Sequence, residues 1–188
     1  MARVYIGIGS NIEREKHIRA ALDALRRAFG RLQLSSVYES EAVGFEGDNF
    51  YNLVAAFDTH LGVGELAWQL RKIEYTYGRR LCEPKCGSRK LDLDILTYGD
   101  LVGEFAGNLL PRSDIVKYAH VLRPLAEIAP DELHPKLRES YRALWDSYDK
   151  SRQQLWSVED VWSVDGRSST TRKQNLFQVS VPSAIGRR

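Results

Sequence analysis

Lys90-Leu91-Asp92-Leu93-Asp94-Ile95-Leu96-Thr97 is the stretch on which the reading of the fold turns. A period of two puts Leu91, Leu93 and Ile95 on one face and Asp92 and Asp94 on the other, so the run is predicted to be a strand with one side anchored in an apolar core. Immediately upstream, residues 79–89 have no usable period and are basic: Arg79, Arg80, Lys85 and Arg89 are opposed only by Glu83. Before that segment, Leu66, Leu70, Ile73 and Tyr77 fall at helical spacing, with Gly78 placed to close the helix. Residues 32–40 and 50–59 are β-rich, and between them 41–49 is polar, contains glycine and is expected to be a loop able to cover a site. Ile18, Ala21, Leu22, Leu25 and Phe29 mark an earlier amphipathic helix ending at Gly30. Residues 3–9 read as the first strand, turned toward that helix by Gly9-Ser10-Asn11. The order β-α-β-β-α-β predicts an α+β, ferredoxin-like sandwich with helices packed on an antiparallel sheet, not a doubly wound one.

Downstream, Tyr98-Gly99-Asp100 is a turn, residues 101–109 are expected to hold a short edge hairpin, and helical pattern returns over 121–129 and 136–148. From Ser151 onward Trp156, Val158, Trp162 and Val164 alternate, whereas 166–175 are polar. The expected organisation is therefore one domain over 1–150 and a C-terminal extension over 151–188, a ribbon or partly disordered tail.

Composition narrows the function classes. The 188 residues suit one main core, and 43% hydrophobic with 28% charged residues excludes wholesale disorder. A balance of 27 Lys+Arg against 25 Asp+Glu argues against a dedicated nucleic-acid or membrane-surface binder, so an anion site must be local. No apolar run has the ~20 residues of a membrane span, and Met1-Ala2-Arg3 leads into a strand without a signal-peptide pattern, so a cytoplasmic protein is expected.

Asp92 and Asp94, about 7 Å apart at Cα on one strand face, can converge on a hard cation such as magnesium. Alone, such a pair also fits a half-exposed strand with polar residues outward. The adjoining basic segment favours phosphate held together with magnesium. Gly62-Val63-Gly64-Glu65-Leu66-Ala67 superficially resembles a dinucleotide fingerprint, but the preceding strands are spaced for a hairpin, and the reading preferred is a turn and helix start. A P-loop is absent from the sequence. Cys82 and Cys86 lack the spacing of a redox or zinc motif. His17, His60, His120 and His134 show no ligand spacing and are expected to be surface or packing residues.

Taken in order, Ile6-Gly7-Ile8-Gly9-Ser10-Asn11, Phe50-Tyr51-Asn52, Ile73-Glu74 with Gly78-Arg79, Arg89-Lys90-Leu91-Asp92-Leu93-Asp94-Ile95 and Pro124-Leu125-Ala126-Glu127-Ile128-Ala129-Pro130 resemble the 6-hydroxymethyl-7,8-dihydropterin pyrophosphokinase family. The resemblance runs from about Val4 to about Leu144. It implies transfer of pyrophosphate from ATP to the hydroxymethyl group of a reduced pterin, releasing AMP, in folate synthesis. Alternatives are a paralogue acting on a modified pterin or another heterocyclic alcohol, and a non-catalytic pterin- or nucleotide-binding protein. Asp92 and Asp94 would hold two magnesium ions on the ATP phosphates, with Arg79 and Arg89 gripping those phosphates through the transition state. Further ATP contacts are implied for Arg71, Glu74, Lys85, Ile95 and Arg112. Asn52 would read the pterin's amide edge, in a pocket with Gly9, Ser40, Val43 and Phe50. The segments 41–49 and 80–90 match the family's mobile loops. The chain departs from the family where Pro111-Arg112, Tyr118 and His120 replace a Pro-His, an Arg and a stacking Phe, where Cys86 replaces a loop Trp, and where Glu41-Ala42 replace a proline-rich pair. His120 is then expected to act on acceptor recognition.

Overall fold

The computed structural model describes residues 1–77 and 87–158, together with the backbone of Lys173–Asn175. Strand β1 (Ala2–Ser10) lies inside an antiparallel sheet, flanked by β4 (Phe50–Thr59) and β5 (Asp92–Tyr98). Beyond β4 stands β3 (Val37–Ser40), then β8 (Leu155–Val158) and β9 (Lys173–Asn175), while β2 (Gln33–Leu34) also pairs with β4. Helix α1 (Arg14–Phe29) follows β1 and helix α2 (Val63–Thr76) follows β4. The chain order β1-α1-β3-β4-α2-β5 with the spatial order β5-β1-β4-β3 is the expected ferredoxin-like α+β arrangement.

Strict alternation sorts the side chains onto two faces. Val4, Ile6, Ile8, Leu53, Ala55, Phe57, Leu91, Leu93 and Ile95 pack against Ile18, Leu22 and Leu25 of α1 and Leu66 and Leu70 of α2. Phe29 closes this layer by stacking on Phe57, centroids 4.3 Å apart. Gly30, at φ 79°, then ends α1 in a backbone conformation that a side chain would strain. The opposite face carries Tyr5, Val54, Ala56 and Leu96, packed on α3 (Asp114–Lys117), α4 (Ala119–Ile128) and α5 (Tyr141–Ser147). These helices cover only part of that face, and the uncovered part is a cleft.

Two elements differ from expectation. The run 32–40 splits at Ser35-Ser36, because Ser35 bonds Val54 through both its N–H and its hydroxyl, and Ser36 turns its N–H and hydroxyl to Glu127. The helix expected over 136–148 begins only at Tyr141. Residues 134–138 turn instead around His134, whose Nδ1 accepts the N–H groups of Lys136 and Leu137, and Arg138 takes φ 61°. The expected edge hairpin is present as β6 (Gly103–Phe105) and β7 (Asn108–Leu110). The Gly62–Ala67 string is a turn and helix start, with the Glu65 carboxylate accepting the Gly62 N–H. Among the described residues, no helix is long and apolar enough to cross a membrane.

Candidate active site

The register of the sheet assembles the cleft floor. Gly9 of β1 lies opposite Asp92 on one side and Asn52 on the other, and Gly7 likewise stands between Asp94 and Val54. Two successive rungs thus carry a carboxylate, a glycine and a β4 residue across three strands, with neighbouring strands about 4.8 Å apart. Gly9 lies directly against both neighbours, since a Cβ there would be in van der Waals contact with Asn52 Oδ1 at 3.5 Å and with the Phe50 ring at 3.8 Å.

At the acidic end, Arg112 bridges two carboxylates, with Nη1 3.1 Å from Asp94 and Nε donating to Asp114 at 2.7 Å. Arg89 brings its Nε to 3.7 Å from Asp92. Burial, and then the neighbouring Asp92 charge, push the Asp94 carboxyl up to about 7, with Arg112 pulling the other way. At the other end, Asn52 is buried and donates to Ser40 Oγ at 3.0 Å, beside Phe50, which meets Phe45 edge-on. His120 and Tyr118, stacked with centroids 5.3 Å apart, form part of the wall.

Both irregular segments are tied down next to the floor. Asn11, 4% exposed, donates to the Asp48 carbonyl and to Ser88 Oγ, while its Oδ1 accepts the Arg89 N–H at 2.6 Å. Arg14 donates to the Asn49 carbonyl, and Asn49 to Glu39.

Of the residues singled out in the sequence, Gly9, Ser40, Val43, Phe50, Asn52, Arg89, Asp92, Asp94, Arg112 and His120 line this one cleft. Arg71, Glu74 and Ile95 do not reach it. Arg71 is exposed on α2, Ile95 is in the core beneath the sheet, and Glu74 is 1% exposed with its carboxylate accepting the Leu93 N–H at 2.8 Å. Arg79, Lys85, Cys82 and Cys86 lie outside the described residues. His17 and His134 are buried packing residues, His17 bonding the Ile12 carbonyl. Sequence reasoning missed Gly7, Phe45 and Asp114 as lining residues. Gly7 carried a usable signal, since it repeats Gly9 two residues earlier and must share its face. Asp114 carried none, because an acid two residues from Arg112 is an ordinary local pair until the fold sets Arg112 beside Asp94.

The sequence model of the 7,8-dihydro-6-hydroxymethylpterin-pyrophosphokinase (HPPK) family matches residues 5–130. The 2-amino-4-hydroxy-6-hydroxymethyldihydropteridine pyrophosphokinase of Aquifex aeolicus is 38% identical over 141 residues, 74% of this chain and 88% of the relative. The enzyme of the same name from Pseudomonas aeruginosa is 38% identical over 133 residues, 69% of this chain and 82% of the relative. Among solved structures, an HPPK-DHPS in complex with substrates superposes at TM-score 0.61 with 13% identity, over 82% of this chain and 47% of the other. Plasmodium falciparum HPPK-DHPS gives 0.62 with 14% identity, over 83% and 47%. The chain thus spans less than half the length of those solved chains, and that likeness speaks for the fold alone. A profile running from β1 through the Asp92–Asp94 strand to α4, joined by relatives matched over most of their own length, places the chain in the 7,8-dihydro-6-hydroxymethylpterin-pyrophosphokinase family.

Proposed function

We propose that this cleft transfers pyrophosphate from ATP to the hydroxymethyl group of 6-hydroxymethyl-7,8-dihydropterin, with Asp92 and Asp94 as magnesium ligands. Family membership supports the reaction, a step of folate synthesis. The observation that carries the assignment of roles is the rung itself, which sets Asp92 and Asn52 on either side of Gly9. Two strand spacings, about 10 Å, separate a phosphate end from an acceptor end.

The donor set fits magnesium. Two carboxylates share one strand face, and the Asp92 charge adds to burial in raising the proton affinity of Asp94, a conflict that a divalent cation relieves. Among the described residues no group of three or more metal-ligating side chains occurs, which suits an ion that keeps water and phosphate oxygens in its shell. Magnesium, when bound, neutralises charge on the phosphates.

The chain's own residues supply orientation. Asn52 offers a donor and an acceptor to the pterin's amide edge, and Phe50 and His120 bound the flat ring. The acceptor's hydroxyl oxygen bonds to the β-phosphorus and loses its proton to water, as the bond from that phosphorus to the α,β-bridging oxygen breaks and AMP leaves with that oxygen. Arg89, 11% exposed and held at its backbone by Asn11, faces the charge that grows on the transferring group. Arg79 and Lys85 are proposed to add to this from the second loop. Closure of the segments 41–49 and 80–90 would keep water from the reacting phosphorus. Residues 1–150 form the catalytic domain in this reading, and the setting is cytoplasmic.

Incubation with ATP, magnesium and 6-hydroxymethyl-7,8-dihydropterin should yield AMP in proportion to acceptor consumed, and chelation should stop it. AMP at the same rate without the pterin would overturn the assignment.

A further inference from the structure

The segment just before β8 reaches back into the cleft wall. Gln153 lies outside the catalytic domain drawn from the sequence, yet its side chain meets His120 twice. The His120 backbone N–H donates to Gln153 Oε1 at 3.3 Å, and Gln153 Nε2 is 2.8 Å from His120 Nδ1. The first contact orients the amide, because only an oxygen can face an N–H. With Oε1 so placed, Nε2 must be the atom turned to the ring, and an NH2 group can only donate. Nδ1 is therefore the unprotonated nitrogen, and the ring's proton sits on Nε2. The same oxygen also satisfies an N–H in the first turn of α4, which has no partner within the helix.

We infer that Gln153 is a positioning residue for acceptor recognition: it holds His120 as a neutral Nε2–H tautomer, so that the wall offers a flat π-face and one donor to an acceptor ring carrying a lone pair. This deepens the functional reading above and rests on it. Three features agree. Tyr118 stacks on the other face of His120 at an interplanar angle of 18°, which restricts rotation of the ring. Tyr148 donates to the Lys117 carbonyl, fastening the turn before α4 to the same C-terminal segment. Leu155, two residues after Gln153, pairs with Ser40 of the pocket, so β8 fixes where Gln153 stands. Burial keeps the imidazole below its ordinary range, against opposing pulls from the Gln153 contact and from Asp114 on α3. The other charged or titratable groups on the cleft are Tyr118 beside the ring and Asp92, Asp94, Arg89, Arg112 and Glu41 around it.

The test uses the full chain with 15N-labelled histidine and Gln153→Glu. The new carboxylate keeps the contact to the backbone N–H but can only accept from the ring, so it draws the proton to Nδ1. The wild-type spectrum should show an unprotonated Nδ1 and a protonated Nε2 at neutral pH, and the variant the reverse or a doubly protonated ring. Acceptor KM should rise about tenfold in the variant, the scale of one lost hydrogen bond, with the change falling on KM and not on kcat. In a His120→Phe background the same substitution should change KM by no more than about twofold, since no ring nitrogen remains to be oriented. A protonated Nδ1 in the wild type would overturn the inference, as would an equal KM penalty in the His120→Phe background. If the wild-type protein fails to use the pterin at all, it is the functional reading that falls, and the imidazole spectrum alone decides the role of Gln153.

Discussion

Replacing Glu74 by alanine separates two roles that the sequence alone could not tell apart. The family resemblance implies a nucleotide contact, but the structure turns this carboxylate inward onto the Leu93 N–H, between the two cleft aspartates. Among the described residues β5 ends the sheet, so N–H groups on its outer side have no strand partner there, and Glu74 serves this one at 2.8 Å. Truncation leaves that buried N–H unsatisfied, which costs about 1–3 kcal/mol. One buried methylene, Cγ, is also removed, at roughly 0.8 kcal/mol. A total near 3 kcal/mol lowers Tm by roughly 6–12 °C for a domain of this size. Glu74→Gln retains an acceptor of the same shape and removes a buried charge, so it should cost about 1 kcal/mol or less. Thermal unfolding of both variants, beside calorimetric titration with ATP, is the assay. Glu74→Ala should lose stability, and catalysis with it as the aspartates lose their fixed spacing. Loss of ATP affinity with Tm moved by less than about 1 °C would refute the inward role.

Asp92→Ala and Asp94→Asn should each reduce AMP formation by about a thousandfold, and Asp94→Asn should raise Tm in the presence of a chelator because it ends the repulsion between the two carboxylates. Normal magnesium-dependent turnover in either variant would remove the metal role. Arg89→Ala should lower kcat by about 100- to 1,000-fold with nucleotide affinity much less affected, since a contact to the transferring group counts mainly in the transition state. Equal losses in affinity and rate would indicate plain binding. His134, whose imidazole burial holds below its ordinary range, accepts two backbone N–H groups at Nδ1 and loses both when protonated. The unfolded chain then binds more protons than the native one, so stability should fall as pH drops through about 6.5, and His134→Asn should flatten that slope in denaturant titrations.

The alternation of Leu91, Leu93 and Ile95 against Asp92 and Asp94 was legible because a strand buried on one face writes its orientation into a period of two. The helices through Ile18 and Leu66 were legible for the corresponding reason at helical spacing. The breaks at Ser35-Ser36 and around His134 were not, since each depends on a side chain outbidding the regular backbone pattern, and in the first case the partner, Glu127, is remote in sequence. Among the residues singled out, most of those on strands line the cleft, although Ile95 points to the opposite face of β5, whereas Arg71 and Glu74 on α2 do not reach it. Glu74 and Arg71 are three residues apart on α2, and nothing in their spacing says that one is buried and the other exposed. Arg112 lines the cleft beside Asp94, a neighbour remote in sequence that its own position could not reveal.

The Asn11 amide couples two segments that border opposite ends of the cleft. One rigid planar group holds the Asp48 carbonyl with its nitrogen and the Arg89 N–H with its oxygen. It cannot rotate to release one loop without loosening the other. The segment after Ser40 borders the acceptor end through Val43 and Phe45, and the segment around Gly87 and Arg89 borders the phosphate end. Whatever free energy one ligand spends in moving its own loop changes the cost of moving the other, and linkage makes that effect equal in both directions. The two loops therefore share one anchor in the Asn11 side chain, and a ligand that moves either of them shifts the affinity of the site for the other.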